Sequence, residues 1–222
     1  MQHYFYVLLK LLRFVIVILD MSTENQKTLE TYERYANNYL KQDTSSTDKA
    51  KQDMLEKCLN NIPKDAKIFE VGSASGKDAE FFRSLGYKKI TVSDVPNHFL
   101  IELKNKGFSP IKFDLIKDDF SDSYDFIYCW AVLMHFTKEE AKNAIRKMYN
   151  ALNNDGRILM CIKTDENKKE EWVDFQNEKR AKVYFSFWKE KEINNFLCEI
   201  GFKDIKIWRY GNWLDCLAKK RA

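Results

Sequence analysis

From residue 68 onward the chain alternates short apolar runs with longer amphipathic segments, and that alternation predicts its elements. Ile68–Val71, Lys89–Asp94, Ser109–Phe113, Tyr124–Trp130 and Arg157–Ile162 read as strands. Between them, Lys77–Phe82, Asn97–Lys106 and Lys138–Leu152 read as helices. The second opens beside Pro96 and ends at Gly107, and the third stops at the turn signal Asn153-Asn154-Asp155-Gly156. Strands that alternate with helices imply a parallel sheet with helices on both faces. The last helix, Lys189–Ile200, is capped by Gly201 and gives way to two strands, Phe202–Tyr210 and Trp213–Lys219, joined at Gly211-Asn212, a tight hairpin turn.

The chain upstream of the first strand has a different texture. Residues 1–20 are apolar, but Lys10 and Arg13 split them into pieces too short to span a bilayer. Each charge near the bilayer centre costs about 2.5–3.5 kcal/mol. A signal peptide would place its charge first and keep an unbroken apolar core, and this segment does neither. His3, Tyr6, Lys10, Arg13 and Val17 recur at helical spacing, so an in-plane amphipathic helix on a membrane surface stays open, beside the alternative that Met21 is the true start. The expected organisation is an extension over residues 1–20 and one domain over 21–222. Within that domain Thr28–Lys41 reads as a helix with Tyr32, Tyr35, Ala36 and Tyr39 along one side. A polar stretch, Gln42–Asp48, and a second helix, Lys49–Leu59, lead through Pro63 to the first strand.

Candidate chemistry concentrates where strands end. Ile68-Phe69-Glu70-Val71-Gly72-Ser73-Ala74-Ser75-Gly76 is a strand running into a tight turn, and a helix opens just after it. Gly72 and Gly76 tolerate positive φ and let a ligand approach the backbone, while the helix that follows aims its unpaired N–H groups at the same spot. Glu70 argues against a phosphate ligand, because a carboxylate there attracts a cation or hydroxyl groups. Asp94 ends the next strand eighteen residues after Gly76, where a βαβ unit places a carboxylate able to hold both hydroxyls of a ribose. Asp114 follows the third strand. After the fourth comes His135, whose ordinary pKa suits a general base.

Composition narrows the classes. The 222 residues are 45% hydrophobic, enough for one domain that buries roughly 70% of its unfolded surface. The five cysteines are scattered without a C-x-x-C pair, which implies buried reduced thiols and a cytoplasmic setting. Three histidines without ligand spacing argue against a metal. Lys+Arg 37 against Asp+Glu 33 gives a net charge of +4, and the charges are interspersed, so no basic stripe for nucleic acid is present.

The Glu-x-Gly-x-Ala-x-Gly loop, with an aspartate at the end of the next strand, resembles the class I methyltransferases that use S-adenosylmethionine. Ala74 stands where the usual pattern has a third glycine. The resemblance covers roughly Thr28 to the end and implies a Rossmann-like, three-layer, doubly wound α/β fold. Its seven-stranded sheet would be mostly parallel with a C-terminal antiparallel hairpin. It further implies S-adenosylmethionine as cofactor, with contacts at Tyr35, Glu70, Gly72, Ser73, Ala74, Gly76, Asp94, Val95, Asp114, Leu115, Cys129 and Trp130. Asp114 would accept from the adenine amino group, with Leu115 against the ring. The first helix resembles the lid that small-molecule methyltransferases fold over the cofactor, hinged at Gln42–Asp48, and the aromatic run Val183–Trp188 lies where the family builds its substrate cover. The fourth strand does not end in the Asn/Asp-Pro-Pro-Tyr/Phe motif of amino-directed DNA or protein methyltransferases, so a small-molecule acceptor is expected. Two other readings stand beside this one. A nicotinamide-dependent oxidoreductase is disfavoured by the glycine spacing, and a non-catalytic module that binds S-adenosylmethionine would need a pocket closed to acceptors.

Overall fold

The structure, a computed structural model, describes residues 23–42, 49–176 and 178–221. The expectations for residues 1–20 and for the stretch after Gln42 fall outside them. In chain order the elements are helices α1 (Thr23–Gln42) and α2 (Lys49–Cys58), strand β1 (Lys67–Val71), α3 (Lys77–Ser84), β2 (Lys89–Asp94), α4 (Asn97–Asn105), β3 (Ile111–Lys112) and β4 (Tyr124–Trp130). A single 3-10 turn (Leu133–His135) follows, then α5 (Lys138–Ala151), β5 (Leu152–Lys163), β6 (Glu170–Phe175), β7 (Glu178–Ser186), α6 (Glu190–Ile200), β8 (Phe202–Tyr210) and β9 (Trp213–Lys220).

Seven of the strands form one sheet in the order β3-β2-β1-β4-β5-β9-β8. β1 pairs in parallel with β2 and β4, and β9 runs antiparallel to both its neighbours, β5 and β8, so β9 alone is reversed within this sheet. The chain leaves β1 in one direction through β2 and β3, then crosses back to β4 and β5. The carboxyl ends of β1 and β4 therefore flank the point where the strand order reverses, and in such sheets that is where a ligand crevice opens. The register sets the level of that crevice. Val71 pairs with both Ser93 and Cys129, so Gly72, Asp94 and Trp130 all emerge one step beyond it.

Side chains alternate across a strand, and each helix covers one face of the sheet. Phe69, Val71, Ile127, Cys129, Ile158 and Met160 face α5 and α6, meeting Ala144, Ile145, Met148, Ile193 and Leu197. Ile68, Phe126, Tyr128 and Leu159 face α2 and α3, meeting Leu55, Cys58 and Phe82. A fully buried side chain of this size is worth about 1.5–3 kcal/mol, so the two apolar layers fix which face of β1 is which. In consequence Glu70 points to the α2/α3 side.

Five elements differ from the sequence expectation. α1 begins at Thr23 and β3 shrinks to two residues. The Asn153–Gly156 turn is instead an irregularity within a longer β5, where the pairing with β4 shifts between Tyr124 and Phe126 and Asp155 takes φ 62°. The charged stretch after β5 holds the antiparallel pair β6–β7, a second sheet of its own. Phe175, Ala181 and Val183 from that pair bury themselves against Tyr32, Tyr35 and Tyr39 of α1. The helix and the hairpin therefore form one cover.

Candidate active site

The loop after β1 is tied down by its own backbone. Ser73 N–H donates to the Ser93 carbonyl at 2.8 Å, and the Ser93 hydroxyl donates to the Glu70 carbonyl at 2.8 Å. Gly72 sits at φ 69°, and a Cβ there would lie 2.4 Å from Val132 Cγ2. Ala74 holds φ 46°, a left-handed conformation that costs a non-glycine residue on the order of 1 kcal/mol or more. What offsets the strain is a hydrogen bond, since Ala74 N–H donates to Asp94 Oδ2 at 2.7 Å. Val95 N–H donates to Asp94 Oδ1 at 2.8 Å. Each carboxylate oxygen still has a second acceptor position. Burial pushes the Asp94 carboxyl up to about 6, against the pull of those two N–H donors.

Beneath the loop, on the α2/α3 side, Glu70 is 2% exposed and its Oε2 has no hydrogen-bond partner. Burial, and next the Asp78 carboxylate, hold its carboxyl well above the ordinary range. Asp78, in the first turn of α3, accepts from Lys51 Nζ at 2.6 Å and from the Tyr128 hydroxyl at 2.8 Å. On the other side, past β2 and β3, Asp114 Oδ1 accepts from Ile116 N–H at 3.1 Å and Lys117 Nζ stands 3.3 Å from Oδ2.

The cover closes on these groups through His135. Its Nδ1 lies 3.0 Å from the Tyr184 carbonyl of β7, and its Nε2 lies 3.0 Å from the Tyr32 hydroxyl of α1. A carbonyl only accepts, so Nδ1 carries the proton and Nε2 receives the Tyr32 O–H. Burial pushes the imidazole down to about 4, and the ring is neutral at pH 7. Thr28 Oγ1 accepts from Tyr184 N–H at 3.0 Å, and Thr31 Oγ1 donates to the Lys182 carbonyl at 2.9 Å. Three side chains on one stripe of α1 thus dock onto β7 and the 3-10 turn.

Together these groups enclose a cavity of about 410 Å³. Of the residues expected from sequence, Glu70, Gly72, Ser73, Ala74, Asp94, Val95, Asp114, Leu115, Trp130 and His135 line it. Three others do not. Cys129 alternates to the opposite face of β4 and lies fully buried in the α5/α6 core. Gly76 turns toward α4, where a Cβ would meet Leu103 Cδ2 at 2.7 Å. Tyr35 lies off the inward stripe of α1, its ring 6.1 Å from that of Phe175. His135 lines the cavity with both nitrogens already bonded, which corrects the expectation of a directly available base. Tyr32 and Tyr39 line it from the helix that the sequence reads as a lid, and Lys51, Asp78, Phe99, Met134 and Trp213 line it without having been foreseen. The period-3.6 positions 25, 28, 29, 32 and 39 on α1 carried a signal for the tyrosines, whereas nothing in the sequence around Lys51 did. Among the described residues no cluster of three metal-ligating side chains occurs, and no helix is long and apolar enough to cross a membrane.

Comparison with known proteins agrees with this geometry. The family described as a methyltransferase domain matches residues 32–207. Among solved structures, DhpI in complex with SAM and HEP superposes with a TM-score of 0.74 at 15% identity, over 89% of this chain and 99% of that one. DhpI with SAH gives 0.70 at 15% identity, over 90% and 99%. The Burkholderia thailandensis 1,6-didemethyltoxoflavin-N1-methyltransferase, with 1,6-didemethyltoxoflavin and S-adenosylhomocysteine bound, gives 0.68 at 14% identity, over 91% and 92%. No curated protein matches the chain.

Proposed function

The chain belongs to the methyltransferase-domain family and is an S-adenosylmethionine-dependent methyltransferase, and from that premise we propose that its acceptor is a small molecule enclosed under α1 and the β6–β7 hairpin. The observation that carries this reading is the cover. Tyr32, His135 and Tyr184 lock a helix and a hairpin across the cavity, and its volume lies in the range of small-ligand sites, roughly 300–1,000 Å³. A macromolecular acceptor would need that wall open. The Burkholderia protein's bound 1,6-didemethyltoxoflavin is a small molecule too.

The residues present fit the cofactor. Glu70 offers a buried carboxyl oxygen without a partner, and Asp94 offers an acceptor position on each oxygen to a pair of ribose hydroxyls. Val95 and Leu115 line the stretch toward Asp114, where the adenine would lie. When bound, S-adenosylmethionine supplies a sulfonium-borne methyl group whose positive charge disappears as the methyl is transferred. The protein's part is to hold the nucleophile in line and keep water out. Asn25, Thr28, Leu29 and Tyr32 of α1, with Met134 and Trp213, form the wall left for the acceptor, apolar with a few polar handles. In that reaction we assign His135 a positioning role. It fixes the Tyr32 hydroxyl at the cavity wall, and its low basicity makes it a poor direct base.

The unit that carries the activity is the single domain 21–222, with residues 1–20 as an extension, and the compartment we assign is the cytoplasm, in keeping with four buried free cysteines. A metabolite extract incubated with methyl-labelled S-adenosylmethionine tests the acceptor class. Label should move into the small-molecule fraction in an enzyme-dependent way, and label found only in protein or nucleic acid would refute the proposal.

A further inference from the structure

The hydrogen bonds that pin the cover also fix which way a proton points at the cavity wall. His135 is buried, and both of its ring nitrogens are engaged. The Tyr184 carbonyl can only accept, so Nδ1 holds the imidazole's one proton and Nε2 is left as a lone pair. The ring is neutral at pH 7, because burial pushes it down to about 4. Tyr32 must therefore direct its O–H at Nε2, 3.0 Å away. Burial raises that phenol above its ordinary range, so it keeps the proton. Tyr32 lines the cavity, and what its oxygen has left to offer there is a lone pair.

A phenol free to rotate would serve donors and acceptors alike. This one cannot turn without orphaning a buried nitrogen, so the group that meets it from the cavity has to bring the proton. Charge points the same way. The cavity's lysines, Lys51 and Lys77, stand at the β1-loop end, and the wall left for the acceptor carries no lysine or arginine among the described residues. A carboxylate there would be buried against a lone pair with no counter-charge. We propose that Tyr32 makes the acceptor subsite selective for a hydrogen-bond donor, so that the methylated group is a hydroxyl or an N–H and not a carboxylate. Its proton then points at the Tyr32 oxygen, which leaves a lone pair on the same atom free for attack on the methyl group. The inference rests on the small-molecule acceptor read above and adds the chemical class of its reacting group.

Nitrogen NMR of isotope-labelled histidine rings tests the premise on the full chain with no acceptor in hand. At pH 7, with and without S-adenosylhomocysteine, the signals that disappear in His135→Phe should be those of a neutral ring protonated at Nδ1. A ring protonated at Nε2 would leave the Tyr32 O–H free to donate and refute the proposal. Product chemistry tests the class. Methyl label carried into the small-molecule fraction of a metabolite extract should survive mild alkali, as ethers and N-methyl groups do. Release of most of it as labelled methanol would identify methyl esters and overturn the assignment. Two variants then separate the hydroxyl from the pin. Tyr32→Phe should slow label transfer by roughly tenfold or more while S-adenosylhomocysteine affinity changes by less than about threefold. His135→Phe breaks the same bond but keeps the hydroxyl, and should transfer label at least about threefold faster than Tyr32→Phe. Equal rates in the two would show that Tyr32 matters only as part of the cover, which sinks the selectivity. Label confined to protein or nucleic acid would overturn the small-molecule reading instead, and this inference with it.

Discussion

Asp94 does two things with one carboxylate, which changes what its removal should do. From sequence it is a ribose ligand at a strand end. In the structure it also closes the β1 loop by accepting from Ala74 and Val95, so Asp94→Ala orphans two backbone donors and releases a left-handed alanine. We expect S-adenosylmethionine binding to weaken by roughly ten to a few hundred fold, together with a loss of stability of about 1–3 kcal/mol. Calorimetry and thermal melting of the same variant check both, and full affinity in Asp94→Ala would remove it from the ribose site. Gly72→Val should fail for a reason the sequence did not show, because its Cβ would strike Val132 rather than the ligand. The identity of the acidic series Glu70, Asp94 and Asp114 was legible because each closes a strand. The direction of Cys129 was not, since a strand that is apolar on both faces gives no clue to which residues turn toward the crevice.

At the scale of elements, the parallel strands and their helices were readable because every one has a long apolar run or a clear stop. The β6–β7 pair was not, because Glu171-Trp172-Val173-Asp174 and Arg180-Ala181-Lys182-Val183 intersperse charges among their apolar residues, so neither forms a continuous apolar run. Its partner is α1, and the pairing could not be seen before Tyr32, Tyr35 and Tyr39 were placed against Phe175. Because the two elements bury a shared core, they should respond as one unit. Hydrogen exchange should slow in both α1 and β7 when S-adenosylhomocysteine and an acceptor are bound, and slowing in one without the other would separate them. His135 is the pin between them. His135→Phe keeps the bulk but cuts both hydrogen bonds, and exchange in α1 should quicken by roughly tenfold, about 1.4 kcal/mol. His135→Gln, which can bond at both ends, should recover part of the protection. Equal exchange in all three proteins would deny the pin.

Across the whole molecule the buried titratable groups pull stability in opposite directions with pH, and the ligand should unmask the balance. His135 falls from an ordinary 6.5 to about 4 in the fold, so the neutral form is favoured there. The stability it contributes is present above pH 6.5 and lost as pH falls toward 4, at most ~3 kcal/mol. Asp94 rises from 3.8 to about 6, so its contribution is present below pH 3.8 and lost as pH climbs through 6. Between pH 4 and 6 these two slopes oppose and nearly cancel, which leaves the raised Glu70 carboxyl to tip the balance, so the ligand-free protein should melt at a somewhat lower temperature as pH rises above the ordinary carboxylate range. Ribose hydroxyls prefer an ionised acceptor, so a bound cofactor draws Asp94 back toward its ordinary value. S-adenosylhomocysteine affinity should therefore fall about tenfold from pH 7 to pH 5, and proton release on binding should grow across the same interval. Titrations in two buffers of different ionisation enthalpy measure the protons directly. Asp94→Asn should flatten the acid limb, and a wild-type affinity that does not change between pH 5 and 7 would show that Asp94 does not meet the ligand in its charged form.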